Sequence, residues 1–403
     1  MVVLSRLWPL ASLLALVTLL SLPAAWGSAA LQGTITQALI QLVMVVGLYI
    51  FVGNSGVVSF GHAGFMLIAA YASAWLDMPV MTKHIFLPGL PPLLASIQLP
   101  VAAAAAVAML VAGLVAFLTG VIVVRLNALA ASIATLSFLA IANVIYSNWN
   151  SMTRGTASLV GLPLVVNAWV AYGCAAASLI VAFAFQSTRM ALMLRASRED
   201  EPAAKSIGVS IGKVRLVAFV ISAMVVGLGG VLQGHFLGTL AVDQFYVNIT
   251  FLTLAMLVVG GIGSLAGAVV GTAAISVISE LLRLGEVGIT VNGTTLNLPL
   301  GSREVGLALL ILLILARRPA GITRSRDWVC PSWLQQPRLL AAGWRLRFGS
   351  RVVQEKSMEA SDDPPRGRDW LRHHWSKLGG ILPGARSAGD RKRSGATSGA
   401  LHP

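Results

Sequence analysis

Charge is what this sequence has least of. Of 403 residues only 11% are Asp, Glu, Lys or Arg, while 56% are hydrophobic; soluble globular chains carry roughly 25% charged residues. So small a supply cannot cover a water-facing surface of the area this chain would need, which excludes a soluble enzyme, a disordered chain and a coiled coil. Cysteine is scarce too: Cys174 and Cys330 alone support neither a disulfide framework nor a metal cluster. The six histidines show no H-x-x-x-H or comparable ligand spacing. No Ser/His/Asp set and no paired carboxylates come forward for chemistry, so a membrane enzyme lacks its catalytic groups. What remains is a polytopic membrane protein.

The few charges are unevenly placed. Residues 1–316 hold 12 Lys/Arg and 8 Asp/Glu, whereas residues 317–403 hold 17 and 7. Charge density therefore changes sharply near Arg317-Arg318-Pro319, where the chain passes from lipid to water or a membrane surface. A basic tail raises nucleic-acid binding as one reading; a cytoplasmic flank of a membrane protein is the plainer one.

A hydrocarbon core about 30 Å thick needs about 20 apolar residues to cross. Ten stretches come forward, near 7–25, 34–52, 57–76, 99–122, 128–147, 168–187, 216–236, 245–262, 264–283 and 303–316. The fold class expected is all-α, a polytopic transmembrane helix bundle of about ten spans, some short or re-entrant. Placing Arg189 to Arg215 in the cytoplasm puts Arg6, Arg125 and six basic residues of that loop inside, and only Lys83, Arg154, Arg283 and Arg303 outside, in accord with the positive-inside bias. Residues 1–33 hold the first span and an outer loop; the same stretch also reads as a signal-like segment.

Two glycine-broken segments, Gly53 to Trp75 and Gly260 to Ile278, each open with glycines and a serine and run into a small-residue helix. Non-helical backbone at membrane depth needs protein or a water-filled cavity to satisfy it, and interrupted segments in corresponding halves point to repeats framing a transport path. Ser59, Gly61, His62, Gly64, Thr135, Gly260, Gly261 and Gly263 are the translocation-path candidates. His62 is the ionisable one, although a neutral histidine bonded to a neighbour is the commoner case. The pair Gly267 and Gly271 forms a GxxxG, for which generic helix packing is a sufficient explanation.

The loop from Arg189 to Arg215 is too long for a simple connection between bundle helices. Asp200 can cap a short helix, with Glu201 first and Pro202 still in the first turn; alternatively Ser197 caps, with Asp200 three residues on. Glu201 and Lys205 stand i,i+4, and Gly208 supplies the stop. A rigid helix of about two turns with the slim face of Ala203 and Ala204 suits a docking groove on a partner.

Glu201-Pro-Ala203-Ala204-x-x-x-Gly208 resembles the E-x-A-A-x-x-x-G loop of ABC importer permeases. The match extends to the branched-chain amino acid class, the LivM-like branch, through "VVSFGHAGFMLIAAYASA", "VVRLNALAASIATLSFLAIANVI", "RASREDEPAAKSIGVSIGKVRLVAF" and "LTLAMLVVGGIGSLAGAVVGTAAI", in order from about residue 34 to 316. It departs at "SMTRG" before Gly155, where the family more often has Thr-Gly-Gly, and in the tail. The resemblance implies a permease domain over 34–316. Within it, 189–215 would be the cytoplasmic coupling loop, with Arg198, Glu199, Glu201, Ala203, Ala204 and Gly208 facing the ATPase. It also implies a related second permease, two ATP-binding subunits, a periplasmic substrate-binding protein, and a bacterial inner-membrane location with a cytoplasmic C-terminus. No G-x-x-x-x-G-K-[ST] loop occurs in the chain, so ATP and Mg would belong to separate subunits, and this chain binds no cofactor and catalyses nothing. Branched-chain amino acids are the substrate implied; similar permeases serve urea and other amino acids. A secondary carrier or channel is the rival from another class, and it would need intramembrane charges. In the tail, 317–403, residues 333–348 could lie on membrane lipid as a basic amphipathic helix. From Ser350 on, the composition reads as disordered.

Overall fold

The computed structural model describes residues 2–323, except 288, 292, 293, 297, 298, 300, 319 and 320; the readings made for the chain beyond 323 lie outside the described residues. Within that range the fold is helical apart from two small strand pairs. The first half comprises α1 (Val2–Ser21), α2 (Ala29–Ser55), α3 (His62–Asp77), α4 (Val101–Val123) and α5 (Ala128–Asn148). The second comprises α6 (Ala168–Gln186), two short helices α7 (Arg189–Glu199) and α8 (Glu201–Ser206), then α9 (Ile211–Leu237), α10 (Val247–Gly260), α11 (Leu265–Val287) and α12 (Ser302–Arg317).

Among the described residues eight helices are long and apolar enough to cross a membrane, where the sequence suggests ten spans. The two that fall short are α3 and α12, each of 16 residues, or about 24 Å at 1.5 Å per residue. The first is short because Gly56, at φ +71°, ends α2 and the chain stays non-helical until His62.

Each half follows one plan: a peripheral helix, a 27-residue central helix (α2 or α9), a break, then three more helices. On this plan the counterpart of the break at 56–61 is 238–246, between α9 and α10. The turn after Gly260, in the segment the sequence sets beside Gly53–Trp75, joins α10 to α11.

The central helices are apolar all round and correspondingly enclosed. From Leu39 to Ser55 every residue of α2 is buried, and in α3 every residue but Trp75 and Leu76. The peripheral helices are sided instead. On α4 the inward stripe is Ala104, Ala108, Ala112 and Ala116 at four-residue spacing, while Leu110, Leu114, Leu118 and Ile122 point out. On α6 the stripe is Ala171, Ala175, Leu179 and Ala182. Lipid offers no hydrophobic drive for helix association, so close approach through small residues is what binds such helices. The Gly267–Gly271 pair serves the same end: a Cβ at either position would collide with backbone of α10.

The two ends of the bundle differ. At one, Leu159–Val160 pairs antiparallel with Thr239–Leu240, joining the long α5–α6 connection to the break after α9. The other, the basic end, carries α7, α8, the last turn of α2 and the first of α9. Here too the chain after α12 returns, the N–H groups of Ile322 and Thr323 bonding to Val259 and Gly260 carbonyls.

Candidate functional site: the basic end and the break at 56–61

The short helix α8 is fixed at both ends by local chemistry. Asp200 accepts from the Ala203 N–H at 2.9 Å, as an N-cap should; Ser197 does not cap, being inside α7 with its hydroxyl on the Leu194 carbonyl. At the other end Gly208 takes φ +86°. Its N–H bonds to Lys205 O and that of Val209 to Ala204 O, which together satisfy two carbonyls the helix would otherwise leave open. Ala204 is buried, whereas Pro202, Ala203, Lys205, Ser206 and Ile207 are exposed. Arg198 and Glu199, at the end of α7, are exposed as well.

Glu201 links α8 to the bundle. Its carboxylate meets Lys205 at 2.9 Å, as the spacing suggests, and also Arg215 of α9 at 3.0 Å. The Lys205 ammonium first, and then Arg215, hold this carboxyl below the usual carboxylate range. The preceding helix grips α2. Arg198 Nη1 donates to the Gly53 carbonyl at 2.8 Å, and Arg195 Nε to Asn54 Oδ1 at 2.9 Å.

About three turns along α9 from its basic end lies a second cluster. His62 Nε2 is 2.8 Å from Ser222 Oγ of α9, which itself donates to Gly47 O of α2 at 2.6 Å. A hydroxyl has one proton, so Nε2 is the donor and Nδ1 accepts from Ser59 Oγ at 2.8 Å. The ring is neutral, 3% exposed, and surrounded by Phe51, Phe65 and Phe219. Thr135 of α5 receives the Phe60 N–H on its hydroxyl, and neighbouring Ser132 donates to Val58 O at 2.6 Å. Gly61 lies so close to Thr135 that a Cβ would stand 2.7 Å from its carbonyl oxygen, and Gly64 abuts Phe138. Ser59, Gly61, His62, Gly64 and Thr135 are thus brought together. The non-helical segment gets its hydrogen bonds from Ser132 and Thr135 of α5 and from Ser55 at the end of α2, which answers the requirement for satisfied backbone at membrane depth. Gly260, Gly261 and Gly263 lie apart, in the α10–α11 turn, where Thr323 donates its hydroxyl to Gly260 O at 2.7 Å.

Several groups that matter escape a reading of the sequence. Arg195 meets Asn54 141 positions away and Arg215 meets Glu201 14 positions away, so no local pattern announces either contact. Buried charge was also expected to be nearly absent, yet His235 Nε2 lies 2.7 Å from Asp77 Oδ2, both residues almost wholly enclosed. His235 Nδ1 faces Pro163 O at 3.0 Å and Ser73 donates to the same carboxylate oxygen. Nδ1 faces a carbonyl and so donates, and Nε2 and the Asp77 carboxyl hold one proton between them in a short hydrogen bond. Beside this pair Lys83, fully buried, donates to the Leu94 and Ile97 carbonyls, and burial pushes its amine below the usual value. The one available signal was an Asp near the end of an apolar run.

A family model described as the permease component of the branched-chain amino acid transport system matches residues 30–316. The chain is similar to the high-affinity branched-chain amino acid transport system permease protein LivM of Escherichia coli (strain K12). It is 28% identical to that protein over 305 residues, covering 66% of this chain and 68% of the relative. The protein of the same description from Salmonella typhimurium (strain LT2) is 27% identical with the same coverage.

Proposed function

The chain belongs to the family of branched-chain amino acid transport permease components, and from that premise we propose how it works in an ATP-driven importer. It is the membrane-spanning, non-catalytic subunit, taking branched-chain amino acids across a bacterial inner membrane. It pairs with a second, related permease and receives solute from a periplasmic binding protein. Two separate ATP-binding subunits dock at its cytoplasmic face, which is the basic end of the bundle, and ATP and Mg belong to them.

The observation that carries this reading is α8. A helix of fewer than two turns is not stable by itself, yet this one has an Asp200 cap, a left-handed stop at Gly208 and an ion pair to α9. Its outer face is left uncovered by the other described residues. Such an element passes a push from a docked ATPase into the bundle without yielding. Arg198, Glu199, Glu201, Ala203, Ala204 and Gly208 form the coupling loop, with Ala203 small enough for close approach and Ala204 seated inward. The cluster of Ser59, Gly61, His62, Gly64 and Thr135 bounds the translocation path as a hinge, because both nitrogens of His62 already have partners. Gly260, Gly261 and Gly263 act at the second turn on the same side.

The test is Gly208→Pro in the assembled transporter. Proline is locked near φ −65° and cannot take the +86° found here. ATP-dependent uptake should be lost while the ATPases still co-purify. Full uptake by this variant would contradict the coupling role.

A further inference from the structure

A helix leaves its last carbonyls without intrahelical partners and bears partial negative charge at that end. In α2 the cap N–H of Gly56 goes back to Val52 O, and the next carbonyl, Gly53 O, is taken by Arg198 at 2.8 Å. Beside it Arg195 Nε holds Asn54 Oδ1 at 2.9 Å, and Asn54 in turn donates from Nδ2 to Ile50 O at 3.0 Å. The aliphatic part of Arg198 also lies over Gly56, where a Cβ would stand 2.8 Å from Arg198 Cγ. Two cations three residues apart on α7 therefore grip the last turn of α2, immediately before the non-helical stretch that leads to Ser59 and His62. A second attachment, Glu201 to Arg215, ties α8 to α9. The two helices gripped are the two 27-residue central ones, and they meet again at Gly47, Ser222 and His62.

We infer that Arg195 and Arg198 are positioning residues for transport: they fasten the coupling loop to the end of α2, so that displacement of α8 is delivered to the break at 56–61. This rests on the importer reading. Without them α8 would still pull on α9 through Glu201, but the segment carrying Ser59 and His62 would no longer follow.

The experiment uses the whole transporter, with its ATPases and binding protein, reconstituted in vesicles with leucine as the probe solute. Arg195→Ala/Asn54→Ala, which removes the contact outside the ATPase-facing residues, should lower leucine uptake at least tenfold while ATP hydrolysis and co-purification of the ATPases stay within twofold of the parent. The number of ATP hydrolysed per leucine should rise at least fivefold. Arg195→Lys in the Asn54-intact chain, which keeps a cationic donor for Asn54 Oδ1, should retain most of the coupling, whereas a merely structural role would not move that ratio. For a double variant that fails to fold, the second measurement is a thiol cross-link. With Cys174 and Cys330 replaced by serine, Asn54→Cys and Arg195→Cys are bridged by a short bifunctional reagent. If the two elements travel together, the bridged transporter retains ATP-driven uptake. Unchanged coupling in the double alanine variant, loss of the ATPases from it, or a bridge that stops transport would each overturn the inference. The importer reading fails by a different result: parent protein that moves leucine without ATP.

Discussion

At the scale of single residues the most consequential contacts are those of buried polar groups. His235 and Asp77 form a hydrogen-bonded pair with 1% and 0% of their side chains exposed. With the shared proton on the imidazole the pair is ionic, and removing one partner then leaves an uncompensated buried charge, which costs about 3–5 kcal/mol. Asp77→Ala should therefore lower the unfolding temperature of the detergent-purified protein markedly. Ser73→Ala, which removes one neutral donor to the same carboxylate, should cost only about 1 kcal/mol. Equal losses from both would show that the pair is not charged. None of this was legible beforehand, because Asp77 and His235 stand 158 positions apart and each alone looks like a polar residue near a helix end. His62 was visible as an ionisable group in a broken segment. Its partner Ser222 was not, being one of many small residues on an apolar helix.

At the scale of elements, α8 shows what local chemistry can and cannot disclose. Asp200, Pro202, the Glu201–Lys205 spacing and Gly208 are all within nine positions, and each acts on backbone close by in sequence; hence the helix and both its ends could be read directly. The attachments to α2 and α9 could not, since they depend on how the helices pack. Gly208→Ala has open space around its side chain, so its cost is only the left-handed backbone, about 1–2 kcal/mol. Uptake should fall partially with alanine and completely with proline, and equal uptake by the two would remove backbone conformation as the cause. The Glu201 carboxyl is held below its usual range by Lys205 and Arg215. Its anchoring contribution is thus complete above the ordinary carboxylate range and is lost as pH falls through the lowered folded value. Amide hydrogen exchange over 201–208 should accelerate on the acid side in the parent protein. In Glu201→Gln it should already be faster at neutral pH, with no acid transition of this origin.

At the scale of the whole molecule, composition disclosed a membrane protein, because 11% charge leaves no other solvent for so apolar a chain, and apolar stretches of about 20 residues made it an all-α bundle. The span count was less secure: hydropathy cannot see that α3 starts six residues late, after a segment satisfied by Thr135, Ser132 and their neighbours. The repeat of a long central helix in each half needed the packing of α2 on α9 to become visible. The function proposed for the molecule at this scale is coupling, the conversion of a push at α8 into movement of the core. The most direct measurement is leucine uptake into vesicles holding this chain with its permease partner and ATPases, compared with and without ATP. Uptake should require ATP and vanish in vesicles lacking the ATPases. Leucine entry of equal rate through this chain alone, with ATP withheld, would contradict it.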